Sequence, residues 1–262
     1  MKELVLRGIT GTVFIGVVLW GIYGRYEGWY LLFGGISGGL VWETLGLWGK
    51  HGKRERVLEG LAGVWVFTAV YGWKEWGWGW EAWLPYGVWV VWVVLREVRG
   101  KGQKWLSSVT AQVYCAGSMS LLNLLEGRWE ALVLLLLVWM NDTTAYVTGT
   151  SVGKHKFCEK VSPKKTWEGL IGGLVGVVIL GQVLWGYGGE MSRVEWVGLS
   201  VVMAIGATAG DLLESLLKRR SGVKDSGQLL PGHGGLLDRM DSSLVCIPLG
   251  YVYLWMLRVC AG

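Results

Sequence analysis

The chain has 262 residues, 52% hydrophobic and only 17% charged, with mean hydropathy +0.39 and 19 tryptophans. Soluble domains carry about 25% charged residues, so the composition argues against a water-soluble domain and for a membrane protein. The net charge of +5 does not point to nucleic acid, because the Lys and Arg gather in alternate loops between apolar segments.

A transmembrane helix needs about 20 mainly apolar residues to cross roughly 30 Å of hydrocarbon. About nine such segments are predicted, near 4–22, 29–48, 57–73, 82–97, 105–125, 129–149, 167–188, 194–217 and 238–260. The expected fold is all-α, a polytopic integral membrane protein forming one membrane domain over 1–262. Within it, 1–128 reads as scaffold helices and 129–262 as the helices and loops that carry chemistry. The first segment follows Met-Lys, contains Arg7 and lacks a small-residue cleavage site, so it reads as a span and not a removable signal peptide. Gly34, Gly35, Gly38 and Gly39 recur at a spacing that lets helices approach closely. "YGWKEWGWGWEAW" at 71–83 reads as an aromatic belt at the outer interface. No internal repeat emerges. Cys115, Cys246 and Cys260 read as packing residues, and Cys158 in a basic loop is assigned nothing; the four show no metal-ligand spacing.

The loops 49–56, 96–104, 153–166 and 218–235 hold four, four, five and four Lys or Arg, whereas the alternate loops hold Arg25, Lys74, Arg128 and Arg193, one each. The positive-inside rule places the basic set in the cytoplasm. With nine spans, the N-terminus is then cytoplasmic and the C-terminus outside.

Polar residues of the second half sit where lipid should forbid them. Asp142 follows "ALVLLLLVWMN", and Asp211 and Glu214 interrupt the eighth segment. Acidic residues at mid-bilayer cost roughly 2.5–3.5 kcal/mol on insertion scales, so they normally face a protein interior or wet cavity. The loop "GKHKFCEKVSPKKT" offers Lys154, Lys164 and Lys165 beside Ser162 and Thr166. Thr166 or Ser162 is placed to cap the helix starting near Trp167, whose N-terminus favours anions. Gly169, Gly172, Gly173 and Gly176 then continue the small-residue pattern. "GTSVGK" at 149–154 is not a P-loop: its spacing is one residue short, no Ser or Thr follows the lysine, and a membrane helix precedes it.

On a helix, Asp211, Glu214, Ser215 and Lys218 share one face, leading into Arg219. The ninth segment opens with Asp238, Arg239 and Asp241, the two acids again on one face. Between them, "KDSGQLLPGHGG" holds Lys224, Asp225 and His233 in a glycine-rich loop whose N–H groups are free to approach anionic oxygens. His233 has three open readings: phosphate contact, a structural role, or acid–base catalysis. Asp142, Asp211, Asp238 and Asp241 together suit Mg²⁺, which pairs one or two carboxylates with substrate phosphates; helix capping and salt bridging to Arg239 or Lys218 are the structural alternative. The residues alone therefore describe a cytoplasm-facing cavity for a divalent ion and several phosphates, and polyphosphate chemistry on a lipid follows.

"SLLKRRSGVKDSGQLLPGHGGLLDRMD" at 215–241 resembles the signature of the phosphatidate cytidylyltransferase (CDP-diacylglycerol synthase) family, and "NDTTAYVTGTSVGKHK" and "SPKKTWEGLIGG" resemble its two upstream motifs. The resemblance implies that CTP and phosphatidic acid give CDP-diacylglycerol and pyrophosphate. It further implies Mg²⁺ dependence, a second monovalent cation such as K⁺, a homodimer, and location in the inner membrane among its lipids. Asp211, Asp238 and Asp241 would hold metals, with Asp142 as a further acid. Lys154, Lys164, Lys165, Lys218, Arg219, Lys224 and Arg239 would divide between the triphosphate and the lipid phosphate. The rival readings are a CTP-dependent lipid kinase, an ether-lipid cytidylyltransferase and, from another class, a cation or phosphate transporter.

Overall fold

The computed structural model describes residues 2–24, 26–49, 51–99, 104–159, 161–187, 191–227, 229 and 234–261. Helices make up its regular structure among these residues, apart from one isolated antiparallel bridge between Lys156 and Thr166. In chain order they are α1 (Lys2–Tyr23), α2 (Tyr26–Leu47), α3 (Lys53–Glu75), a 3₁₀ turn (Trp80–Trp83), α4 (Leu84–Arg99), α5 (Lys104–Ala111), a π-helical turn (Gln112–Gly117), α6 (Ser118–Ser120), a second 3₁₀ turn (Leu121–Leu124), α7 (Arg128–Val152), α8 (Trp167–Trp185), α9 (Arg193–Arg220) and α10 (Leu237–Ala261). The expected apolar segments each fall on one of these helical stretches. By length and composition, α7, α8, α9 and α10 are long and apolar enough to cross a membrane, and Gly11–Tyr23 and Trp80–Leu95 are shorter apolar helices. The chain is an integral membrane protein. At 1.5 Å per residue α9 runs about 42 Å, longer than the hydrocarbon layer, and its end carries Lys218, Arg219 and Arg220.

The chain divides into two compact units, Met1–Leu124 with Arg220–Met240, and Leu125–Arg219 with Asp241–Gly262.

In the first unit α2 and α3 touch backbone to backbone. A Cβ on Gly38 would lie 2.7 Å from the Gly60 carbonyl oxygen, and Ser37 Oγ donates to the Gly63 carbonyl at 3.0 Å. Gly38 thus has the packing role expected of it, whereas Gly35 meets nothing within 4 Å. Phe33, Leu40, Leu45 and Phe67 fill the core. Buried polar side chains pair across its helices: Trp29 Nε1 donates to Asn123 Oδ1 at 2.9 Å, and Glu59 accepts from Trp89 Nε1 at 3.0 Å and Ser108 Oγ at 2.6 Å. The aromatic run folds on itself, with Trp76 and Trp78 rings 5.0 Å apart. Trp73, Trp76 and Trp80 remain exposed.

In the second unit α8 lies along α7 through its glycines. A Cβ on Gly172 would fall 2.2 Å from Thr148 Oγ1, and one on Gly176 2.5 Å from Thr144 Oγ1. Residues 149–152 continue α7, so the backbone of "GTSVGK" is largely helical and forms no phosphate loop. α9 and α10 meet at Gly210, where a Cβ would lie 2.7 Å from the Asp241 carbonyl oxygen and 2.8 Å from Ser242 Cα. Cys115 and Cys246 are buried as expected, with Cys246 Sγ donating to the Met203 carbonyl at 3.3 Å. Cys260, in the last turn of α10, is exposed instead.

Candidate active site

The second unit gathers three of the expected acids. Asp142 comes from the middle of α7, Asp211 from α9, and Asp241 from the second turn of α10. The glycine at 210 explains two of these positions. By letting α9 and α10 touch at their backbones, it brings the next residue, Asp211, beside Asp241. The three carboxylates lie within electrostatic reach of one another. Asp142 bonds to the buried hydroxyl of Ser242 and accepts from Asn141 Nδ2 at 3.3 Å. Asp241 Oδ1 accepts from the Ser242 amide at 2.7 Å.

Lys165 and Lys218 are cations set against these charges. Lys165 Nζ lies 2.8 Å from Asp211 Oδ2 and donates to the Thr208 carbonyl at 3.3 Å. The expected stripe on α9 is present: Ser215 Oγ donates to Asp211 Oδ1 at 3.2 Å, and Lys218 Nζ meets the buried Glu214 at 2.5 Å. Lys218 also lies within electrostatic reach of Asp241.

Local hydrogen bonds hold Lys165 in place. The basic loop folds back on itself, closed by the Lys156–Thr166 bridge and by the Trp167 amide donating to the His155 carbonyl at 2.9 Å. Glu168, in the first turn of α8, accepts from the amides of Lys154 at 3.1 Å and His155 at 3.2 Å, and its Oε1 lies 2.6 Å from His155 Nδ1. Thr166 caps α8, its Oγ1 accepting from the Gly169 amide at 3.1 Å. Ser162 starts a turn in which its carbonyl accepts from the Lys165 amide at 3.2 Å. Lys154 and Lys164 are exposed, as is Arg219 at the end of α9.

The remaining expected residues lie in the first unit or outside the described residues. Asp238 is half-buried, and its Oδ2 accepts from the Ser226 amide at 2.9 Å, the Ser226 hydroxyl at 3.0 Å and the Gly235 amide at 2.7 Å. Asp238 belongs to the first unit, and Asp142, Asp211 and Asp241 to the second. Lys224, Asp225 and Arg239 are exposed, and His233 lies outside the described residues.

One functional candidate escaped the sequence reading altogether. Glu43, on α2 and only 3% exposed, accepts from the amides of Leu236 and Leu237 at 2.9 Å each and from Ser226 Oγ at 3.1 Å. An acid within the apolar run "GGLVWETLG" carries the same signal that marked Asp142 and Asp211. The Gly235 amide, in the loop whose N–H groups were expected to face anionic oxygens, is taken by Asp238, and the next two amides, of Leu236 and Leu237, by Glu43.

Among the described residues, no group of three or more His, Cys, Asp or Glu is close enough together to enclose a metal ion. The donor set is nonetheless all carboxylate oxygen, which fits Mg²⁺, an ion that takes one or two carboxylates and completes its shell with water and phosphate oxygens.

The model of the cytidylyltransferase family matches residues 5–257. Among curated proteins, the phosphatidate cytidylyltransferase of Haemophilus influenzae is 42% identical over 138 residues, covering 50% of this chain and 48% of that protein. Those of Staphylococcus aureus and Staphylococcus saprophyticus are 44% and 43% identical over 126 residues, covering 47% of this chain and 48% of theirs. The chain spans about half the length of the curated relatives it matches.

Proposed function

Given that the chain belongs to the cytidylyltransferase family, we propose that it transfers a cytidylyl group from CTP to phosphatidic acid, giving CDP-diacylglycerol and pyrophosphate. The observation that carries this reading is the convergence of Asp142, Asp211 and Asp241 around Lys165 in the second unit. Polyphosphate chemistry needs such a combination of hard oxygen ligands and cations at one point.

In the reaction, a phosphate oxygen of phosphatidic acid attacks the α-phosphorus of CTP. The bond from that phosphorus to the α,β-bridging oxygen breaks, and pyrophosphate leaves with the electron pair. A phosphate monoester is already ionised near neutral pH, so no strong general base is required. One or two of Asp142, Asp211 and Asp241 would hold Mg²⁺, and Asp238 is a further metal candidate on the family resemblance alone. Bound there, the ion would neutralise charge on the α-phosphate and the departing pyrophosphate. Lys165 is placed to exchange its pairing with Asp211 for a phosphate oxygen, which frees a carboxylate as substrate arrives. Lys154, Lys164, Lys218 and Arg219 would share the remaining phosphate charge, with Ser162 and Thr166 as further substrate-binding residues, and Lys224, Asp225, His233 and Arg239 are proposed as substrate-binding on the family resemblance alone. Thr166 also orients the start of α8.

The same reading puts the chain in the inner membrane with nine spans, its N-terminus and site in the cytoplasm, as a homodimer that takes a monovalent cation such as K⁺ besides Mg²⁺. The charge asymmetry of the loops supports the orientation. Incubating detergent-purified protein with phosphatidic acid, labelled CTP and Mg²⁺ tests the proposal. Label in the lipid extract as a liponucleotide is the expected result. CDP as the released product would instead mark a lipid kinase, and ion flux into liposomes without CTP turnover would mark a transporter.

A further inference from the structure

Two carboxylates organise the glycine-rich loop from inside the first unit. Glu43 binds the amides of Leu236 and Leu237, at the start of α10, and Asp238 binds the amides of Ser226 and Gly235. Ser226 Oγ lies 3.1 Å from Glu43 Oε2 and 3.0 Å from Asp238 Oδ2. With a single proton, that hydroxyl donates to one carboxylate at a time.

The loop glycines follow from this arrangement. A Cβ on Gly235 would lie 2.4 Å from Glu43 Oε2, and one on Gly227 2.8 Å from Glu43 Oε1. Gly234 has φ +82°, and its Cβ would lie 2.5 Å from Asp238 Oδ2. These three glycines therefore make room for carboxylates of the chain itself, and Gly234 also supplies a left-handed backbone conformation.

We infer that Glu43, in the half of the chain that reads as scaffold, is a positioning residue for the proposed cytidylyl transfer. It holds Ser226 and the amides of Leu236 and Leu237 at the start of α10, the helix that carries Asp241 in its second turn. The inference rests on the functional reading above for its activity readout and on geometry alone for the loop. Glu43 touches no reacting atom. Its effect passes through backbone amides, which a carboxylate can serve with both oxygens. A Gln at this position keeps the shape but turns an NH₂ group towards one of the donors.

Glu43→Gln, with Ser226→Ala as the milder variant, tests this in the full-length, detergent-purified protein by two readouts. The first is the rate of limited tryptic cleavage after Lys224, an exposed residue beside the clamped segment. The second is steady-state transfer from CTP to phosphatidic acid. Expected for Glu43→Gln are cleavage faster by tenfold or more at Lys224 and a kcat lower by about tenfold or more with KM for CTP within about twofold. Ser226→Ala should move both in the same direction by less, and Glu43→Asp should recover part of the loss. Unchanged kcat in both variants overturns the positioning role, as does a kcat loss accompanied by faster cleavage throughout the chain. A wild-type chain that transfers no cytidylyl group sinks the functional reading, while the cleavage comparison still decides whether Glu43 holds the loop.

Discussion

Lys165 Nζ sits 2.8 Å from Asp211 Oδ2, joining the basic hairpin before α8 to the acidic stripe of α9. The pair is only partly shielded from water, so its direct contribution to stability is modest. Its larger consequence is electrostatic balance, since Asp211 also faces Asp142 and Asp241. Lys165→Met should lower kcat/KM for CTP by about 100-fold or more, roughly 2.7 kcal/mol of transition-state stabilisation. In melting measurements, Lys165→Met combined with Asp211→Asn should be less destabilising than the two single effects added together. Strict additivity would mean that the two side chains do not couple.

The metal assignment makes its own demand. Asp142→Asn, Asp211→Asn and Asp241→Asn should each raise the Mg²⁺ needed for half-maximal activity, by about tenfold. Wild-type activity in Asp241→Asn or Asp238→Asn across a full Mg²⁺ titration would remove those residues from the proposed metal site.

Close approach of α7 and α8 depends on glycine. Gly172→Ala would push a methyl against Thr148, at 2.2 Å from Oγ1 and 2.5 Å from Cβ, and should cost about 1–3 kcal/mol by overpacking. Gly35→Ala, with nothing within 4 Å, should be neutral or stabilise by up to about 1 kcal/mol through helix propensity. Thermal unfolding in detergent, read as a difference between the two variants, checks both signs.

Thr166 separates positioning from binding. Thr166→Ala removes the cap on Gly169 and should cost about 0.5–2 kcal/mol, whereas Thr166→Ser should retain the cap. A large rise in KM for CTP in Thr166→Ser, with stability kept, would point instead to direct substrate contact through the threonine methyl.

Much of this protein was legible before any fold was known. Hydropathy located the helical stretches among the described residues, because it is a local property repeated within one or two turns. Asp142 and Asp211 stood out by the cost of an acid in an apolar run, and Thr166 by the ordinary preference for a hydroxyl at a helix start. Glu43 sent the same local signal and was passed over. Nothing near it in sequence names a partner, because its hydrogen bonds reach residues 183 to 194 positions away. The use of the Gly235, Leu236 and Leu237 amides was likewise hidden, since a glycine-rich loop looks alike whether its N–H groups serve a phosphate or the chain's own carboxylates. Which segments are helical, and which side chains are too polar to face lipid, could be read from residue order alone. Only the tertiary structure decided which of those charges meet, because Coulomb and hydrogen-bond energies depend on separations of a few ångströms between groups that the chain order leaves far apart.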